Sequence, residues 1–270
     1  MSKKRSDIEY LTFGEHLDIM RKMILRIAAL VLIVSIILFY FKTEVFEILL
    51  APRNRDFFTF EIIERWMNGL GLEFHFKDSA TSLISTELSA QFMTHITVSC
   101  ALGLLLTSPY ILIELFRFIL PALYEHEIKN FFILTTTIYT LFVLGMIMSY
   151  YILFPISYHF LVNYQVEDSI KNFITLDSYI STFTTLTFLM GVVFQLPVIV
   201  FVLGRFELLD SKILKKYRPY AFVLIMVIAA IITPPDIFTL LVSTLPIYGL
   251  YELSILILCR IESKKKYELD

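Results

Sequence analysis

The chain has 270 residues, of which 57% are hydrophobic and 18% charged, with a mean hydropathy of +0.73 and a net charge of −2. Soluble domains run at roughly 45–50% apolar and about 25% charged residues, so a water-soluble globule of this composition would expose large apolar patches. The charge balance points to no nucleic acid partner. The two cysteines, Cys100 and Cys259, lie far apart in apolar stretches and indicate neither a disulfide framework nor a metal site.

The first charged region extends from Lys3 to Arg26. It is too long for the n-region of a cleavable signal peptide, and no small-residue cleavage pattern follows. Six stretches then suit membrane-spanning helices, which need about 20 apolar residues. They are Ile27–Phe41, Phe92–Thr107 (stopped by Pro109), Phe131–Phe154 (stopped by Pro155), Tyr179–Leu203, the short Tyr220–Ile232 (stopped by Pro234 and Pro235) and Ile237–Leu258. Between the first two, Glu44–Leu50 and Phe60–Leu70 mix apolar and charged residues at helical spacing and read as interfacial helices. The loop Ile156–Ser178 carries Glu167, Asp168 and Asp177 and reads similarly.

Six spans put both termini on one side, and the basic residues say which. The N-terminal segment, the second-to-third and fourth-to-fifth connections and the C-terminal tail hold 17 of the 23 lysines and arginines. Positive charge stays in the cytoplasm, so both ends are expected there. No internal repeat or low-complexity segment is visible, and residues 1–270 are expected to form one all-α membrane domain.

Enzyme signatures are missing. None of His16, His75, His95, His126 and His159 falls in a metalloprotease spacing, and there is no nucleophile elbow or phosphate loop. No catalytic residue, cofactor or metal is expected. What remains is polar residues at helix edges and at membrane depth. Glu15 and Asp18 precede the first span and Glu127 opens the third, where acids also suit helix N-termini. Gln195 sits in the fourth span, either contacting another helix of the chain or docking a partner. Pro197 beside it is expected to kink that helix. Asp236 is placed to cap the sixth span, and Glu252 is an acid inside it. A six-span transporter or channel, with His95, Gln195 and Glu252 lining a polar path, is the reading that these residues alone leave open.

Several strings carry a resemblance across almost the whole chain. They are Glu15-His16-Leu17 with Arg21, Ala51-Pro52, Ser108-Pro109-Tyr110-Ile111-Leu112, and Arg117-Phe118-Ile119-Leu120-Pro121-Ala122-Leu123-Tyr124 with His126-Glu127. After them come Phe194-Gln195-Leu196-Pro197, Lys215-Lys216-Tyr217-Arg218-Pro219-Tyr220, Thr233-Pro234-Pro235-Asp236 and Pro246-Ile247-Tyr248. In this order, at the edges of six spans, they resemble the TatC family, the multispanning signal-peptide receptors of the twin-arginine protein translocase.

The resemblance implies a concave, glove-like bundle of six helices in the cytoplasmic membrane. It implies a receptor that binds twin-arginine signal peptides on the cytoplasmic side. With single-span partners of the TatA and TatB type, in an oligomeric assembly, it would export folded proteins using the proton-motive force. Carried over motif by motif, signal-peptide binding falls to Glu127, Glu15, Asp18, Arg21, Phe118 and Tyr124. Partner docking or translocation falls to Gln195, Pro52, Asp236 and Glu252. The chain departs from the family pattern at Ile19, where an acid is usual. Glu15, one turn earlier on the same helical face, is the expected substitute. At Gln195 many relatives carry glutamate, and an amide keeps hydrogen bonding without titrating.

Overall fold

The computed structural model describes residues 13–69, 71, 83–85, 88–119, 131–167, 172–206, 208–234 and 236–269. The architecture is all-α. The elements in chain order are α1 (Phe13–Tyr40), α2 (Lys42–Leu50), a 3-10 turn (Ala51–Arg53), α3 (Phe58–Gly69), α4 (Ala90–Ile119) and α5 (Phe131–Met148). A π-helical turn (Ser149–Leu153) leads into α6 (Phe154–Asn163), followed by α7 (Leu176–Val193), α8 (Leu196–Arg205), α9 (Ser211–Lys216), α10 (Arg218–Ile232) and α11 (Ile237–Leu269). Among the described residues the sole β feature is one parallel bridge between Ile84 and Thr175.

Five segments are long and apolar enough to cross a membrane, namely Leu17–Tyr40, Ala90–Leu115, Ile133–Asn163, Leu176–Arg205 and Thr239–Ser263; α10 is a shorter apolar helix. Their outward faces are apolar too: Leu32, Ile36, Leu106, Ile133, Ile231 and Leu245 are each more than half exposed. Such a surface is stable against hydrocarbon and not against water.

Two prolines do not end their helices. Pro109 lies inside α4, and the third segment runs through Pro155 to Asn163. A proline removes the hydrogen bond to the carbonyl four residues earlier, and in a membrane that carbonyl needs another donor. Each freed carbonyl finds a hydroxyl. The Ser108 hydroxyl donates to the carbonyl of Leu105, four residues before Pro109. The Thr59 hydroxyl of α3 donates to the carbonyl of Tyr151, four residues before Pro155, and the wide π turn makes room for the ring. Most of the Ile156–Ser178 loop is accordingly not an interfacial helix. Its first part continues the spanning segment as α6, and Ile174 and Leu176 then pair with Ile84 at 3.0 Å each way. The fourth segment does break at Gln195, with Pro197 in the first turn of α8. The second apolar segment of the loop before α4 folds as α3, two residues ahead of its expected start.

The helices pack as α1 along α4, α5 along α7, and α11 along α8 and α10. Small residues allow close crossing where apolar burial cannot distinguish protein from lipid. At Gly145 of α5 an added Cβ would stand 2.7 Å from the carbonyl oxygen of Met190 in α7. At Gly191 it would meet the Phe142 ring at 2.6 Å. Near α2 and the 3-10 turn the core is aromatic. Phe154 meets Tyr179 and Phe183 edge to face, both with centroids 5.0 Å apart, an arrangement the ring quadrupoles favour. The Tyr179 hydroxyl donates to the carbonyl of Leu49 at 2.9 Å and that of Tyr150 to Ile48 at 2.7 Å. These bonds tie α2 onto the bundle, and Pro52 in the turn that follows is buried.

Candidate functional site

The start of α1 and the end of α4 lie together, because the two helices are antiparallel neighbours. This end holds most of the residues expected to bind a peptide. Asp18 and Arg21 are exposed on α1, as are Leu17 and Ile19 around them. Glu127 and Tyr124 lie outside the described residues, and so do the side chains of Glu15 and Phe118. The backbone of α1 begins at Phe13, so Glu15 and Ile19 do occupy the same face one turn apart.

The same end contains an acid that the sequence reading passes over. Glu114 of α4 is only 3% exposed. One of its oxygens accepts from the Tyr110 hydroxyl at 2.9 Å. The other lies 3.4 Å from a guanidinium nitrogen of Arg26 in α1. The signal was available: an acid in the apolar run Ile111–Phe116, four residues after a tyrosine. An acid in a spanning segment is a functional hypothesis by default.

The other polar positions are each held separately. His95 is buried between Phe39, stacked at 4.0 Å, and Phe46. Gln195 is buried, and its amide nitrogen donates to the carbonyls of Ile138 at 3.2 Å and Gly191 at 3.5 Å. The contact therefore braces α5 against the α7–α8 break. Glu252 accepts from Arg218 at 2.6 Å and from the Tyr248 hydroxyl at 3.0 Å. Asp236 caps α11, its carboxylate accepting from the amide of Thr239 at 2.6 Å. His95, Gln195 and Glu252 thus each have their own, separate partners. Among the described residues no group of three or more histidine, cysteine, aspartate or glutamate side chains is placed to hold a metal ion.

A bundle of long, apolar, antiparallel helices with a lipid-compatible surface, and charged residues gathered at one end of α1 and α4, is an integral membrane protein of the multispanning type. A profile of the family described as Sec-independent protein translocase protein (TatC) matches residues 15–246. The TatC protein of Blattabacterium sp. subsp. Periplaneta americana (strain BPLAN) is 31% identical over 263 residues, covering 94% of this chain and 97% of its own. That of Aquifex aeolicus (strain VF5) is 33% identical over 258 residues, covering 95% and 98%. A crystal structure of the twin-arginine translocase receptor TatC in DDM superposes with a TM-score of 0.70 at 31% identity, over 90% of this chain and 99% of that one. The chain belongs to the TatC family, and is a membrane-embedded component of a Sec-independent protein translocase.

Proposed function

We propose that this protein is the signal-peptide receptor of a twin-arginine translocase. In this reading both termini are cytoplasmic, and the whole chain forms one membrane domain of six spans. The observation that carries it is the juxtaposition of α1 and α4, which brings the Asp18–Arg21 segment to the end of α4 that leads toward Glu127. A solved relative is a twin-arginine translocase receptor. Carboxylates are the fitting partners for consecutive arginines, because a guanidinium offers a planar fork that a carboxylate accepts with both oxygens. A lysine ammonium is a point charge and does not reproduce that geometry. Exposed ion pairs contribute only about 0–1 kcal/mol each. The acids therefore select, while the apolar part of the signal supplies most of the affinity by entering the membrane beside the receptor.

Translocation of folded cargo proteins then involves single-span partners of the TatA and TatB type, an oligomeric assembly and the proton-motive force. Of the four positions associated with docking or translocation, Gln195 and Pro52 are buried. Asp236 and Glu252 are partly exposed. The reading is tested by photocrosslinking the protein, in membranes, to a twin-arginine signal peptide and to its twin-lysine variant, in wild type and Glu127→Gln. Crosslinks that require both the arginines and Glu127 are expected. Equal crosslinking of both peptides would overturn the receptor reading.

A further inference from the structure

The basic connection between α8 and α10 is fastened to α11 through α9. The amide and the hydroxyl of Ser211 both donate to the Glu262 carboxylate, the amide at 2.6 Å. The Tyr251 hydroxyl donates to the carbonyl of Leu214 at 2.7 Å. One turn further, Arg218 meets Glu252 at 2.6 Å. α9 therefore runs back along α11, from the level of Glu262 to that of Glu252. Ser211 is buried and Leu214 half-buried, whereas Lys212, Lys215 and Lys216 are exposed. Their spacing of three and four residues gathers the lysines on one side of the helix. The carboxylates beside them are engaged, Glu262 by Ser211 and Glu252 by Arg218. No described carboxylate pairs with the three lysines.

These cations sit deep. The Arg218–Glu252 pair lies eight residues before Arg260 on α11, about 12 Å below it along the helix. Between the two levels Leu253 and Leu256 are exposed, an apolar surface that suits lipid rather than water. Beyond the lysines the chain turns aromatic and then aliphatic. Tyr217 and Tyr220 are exposed, with ring centroids 5.9 Å apart. Tyr220 opens a stripe along α10 continued by Val223, Leu224, Val227 and Ile231, each more than half exposed. Cations, then tyrosines, then an aliphatic stripe follow the profile of one phospholipid from phosphate to acyl chain. We propose that α9 and the start of α10 form a binding site for an anionic phospholipid. Its phosphate is held by Lys212, Lys215 and Lys216, and an acyl chain lies on the Tyr220–Ile231 stripe. A zwitterionic lipid carries its own ammonium group and gains less from three lysines. The inference goes beyond the receptor reading and does not depend on it.

The experiment places the full chain in phosphatidylcholine nanodiscs holding a small fraction of a lipid with a photoreactive acyl chain. That lipid is phosphatidylglycerol in one sample and phosphatidylcholine in the other. Crosslinks are mapped by mass spectrometry on α10 and, for reference, on the exposed middle of α1 around Leu32 and Ile36. At Tyr217–Ile231 phosphatidylglycerol is expected to exceed phosphatidylcholine at least about fivefold, the equivalent of one lysine near a charged surface. On α1 the two lipids should label equally. Replacing all three lysines together, Lys212→Gln, Lys215→Gln and Lys216→Gln, should remove the excess, and the corresponding triple arginine variant should keep it. Equal labelling of α10 by both lipids, or an excess that survives the triple glutamine variant, overturns the proposal. Loss of the excess on adding soluble glycerol phosphate would reduce the site to one for free anions and overturn it as well. Should the triple glutamine variant fail to assemble in the membrane, the wild-type comparison of the two lipids decides.

Discussion

Gly145 of α5 faces the backbone of Met190 in α7 so closely that even a methyl group would stand 2.7 Å from the Met190 carbonyl oxygen. The obstacle is main chain rather than the end of a flexible side chain, so the helices themselves must separate. Gly145→Ala is expected to destabilise the protein by about 1–3 kcal/mol, the usual cost of overpacking. Gly249→Ala is the control, because nothing lies within 4 Å of a Cβ there. Denaturation in detergent should separate the two variants. Equal stability would mean that α5 and α7 do not cross as closely as described.

The bond from Thr59 to the Tyr151 carbonyl gives α3 a specific role. It satisfies the carbonyl that Pro155 leaves without a donor and anchors α3 against the π turn. Phe58, Ile62 and Trp66 are exposed on α3, in line at intervals of four. Trp66 is the chain's only tryptophan, so its fluorescence reports this helix alone. In liposomes Trp66 should emit as a membrane-interface residue and be quenched by lipids brominated near the headgroup. Thr59→Val keeps the shape, removes the bond, and should lower stability by about 1 kcal/mol while increasing Trp66 access to an aqueous quencher. Full aqueous access in wild type would place α3 away from the bilayer.

These two prolines also show where sequence reasoning reaches its limit. Periodicity and hydropathy locate the apolar segments, and Asp236 is recognisable as a cap because its side chain serves an amide only three residues on. The helix ends are less legible. Pro109 is tolerated through its neighbour Ser108, a local rescue that the sequence displays. Pro155 is tolerated through Thr59, 92 residues from the carbonyl it serves, which no local pattern exposes. The site divides in the same way. Glu15, Asp18 and Arg21 stand in a motif and are candidates on that ground. Glu114 gains its meaning only when α1 and α4 are side by side and Arg26 arrives opposite it.

Gln195 stands in the string Phe194–Pro197, and its structural role follows from what it touches. Its nitrogen bridges the Ile138 carbonyl of α5 and the Gly191 carbonyl of α7 where the fourth segment changes direction. Gln195→Leu is expected to cost about 1 kcal/mol, the scale of interhelical hydrogen bonds in membranes. Loss of the brace alters the surface at the α7–α8 break, so crosslinking to single-span partners should fall. Twin-arginine peptide binding, at α1 and α4, should not change. Unaltered partner crosslinking would detach this break from docking.

The last prediction concerns Ile19. It is exposed on α1, on the face that also carries Glu15 one turn before it. A charge at an exposed position is not expected to disturb folding, so Ile19→Glu can restore the family's acid without repacking. If this face meets a signal arginine, the substitution should tighten twin-arginine binding up to about fivefold, equivalent to about 1 kcal/mol for an exposed pair. The gain should shrink in high salt, and the twin-lysine peptide should gain less. Glu15→Gln should weaken binding in the parent chain and matter less once Ile19→Glu is present, because both acids serve the same guanidinium. Asp18 is rotated about 100° from Ile19 on the helix, so Asp18→Asn should leave binding intact. Peptide titrations at two salt concentrations measure all three variants. A loss in Asp18→Asn with no loss in Glu15→Gln would turn the binding face of α1 by that angle and assign the contact to Asp18.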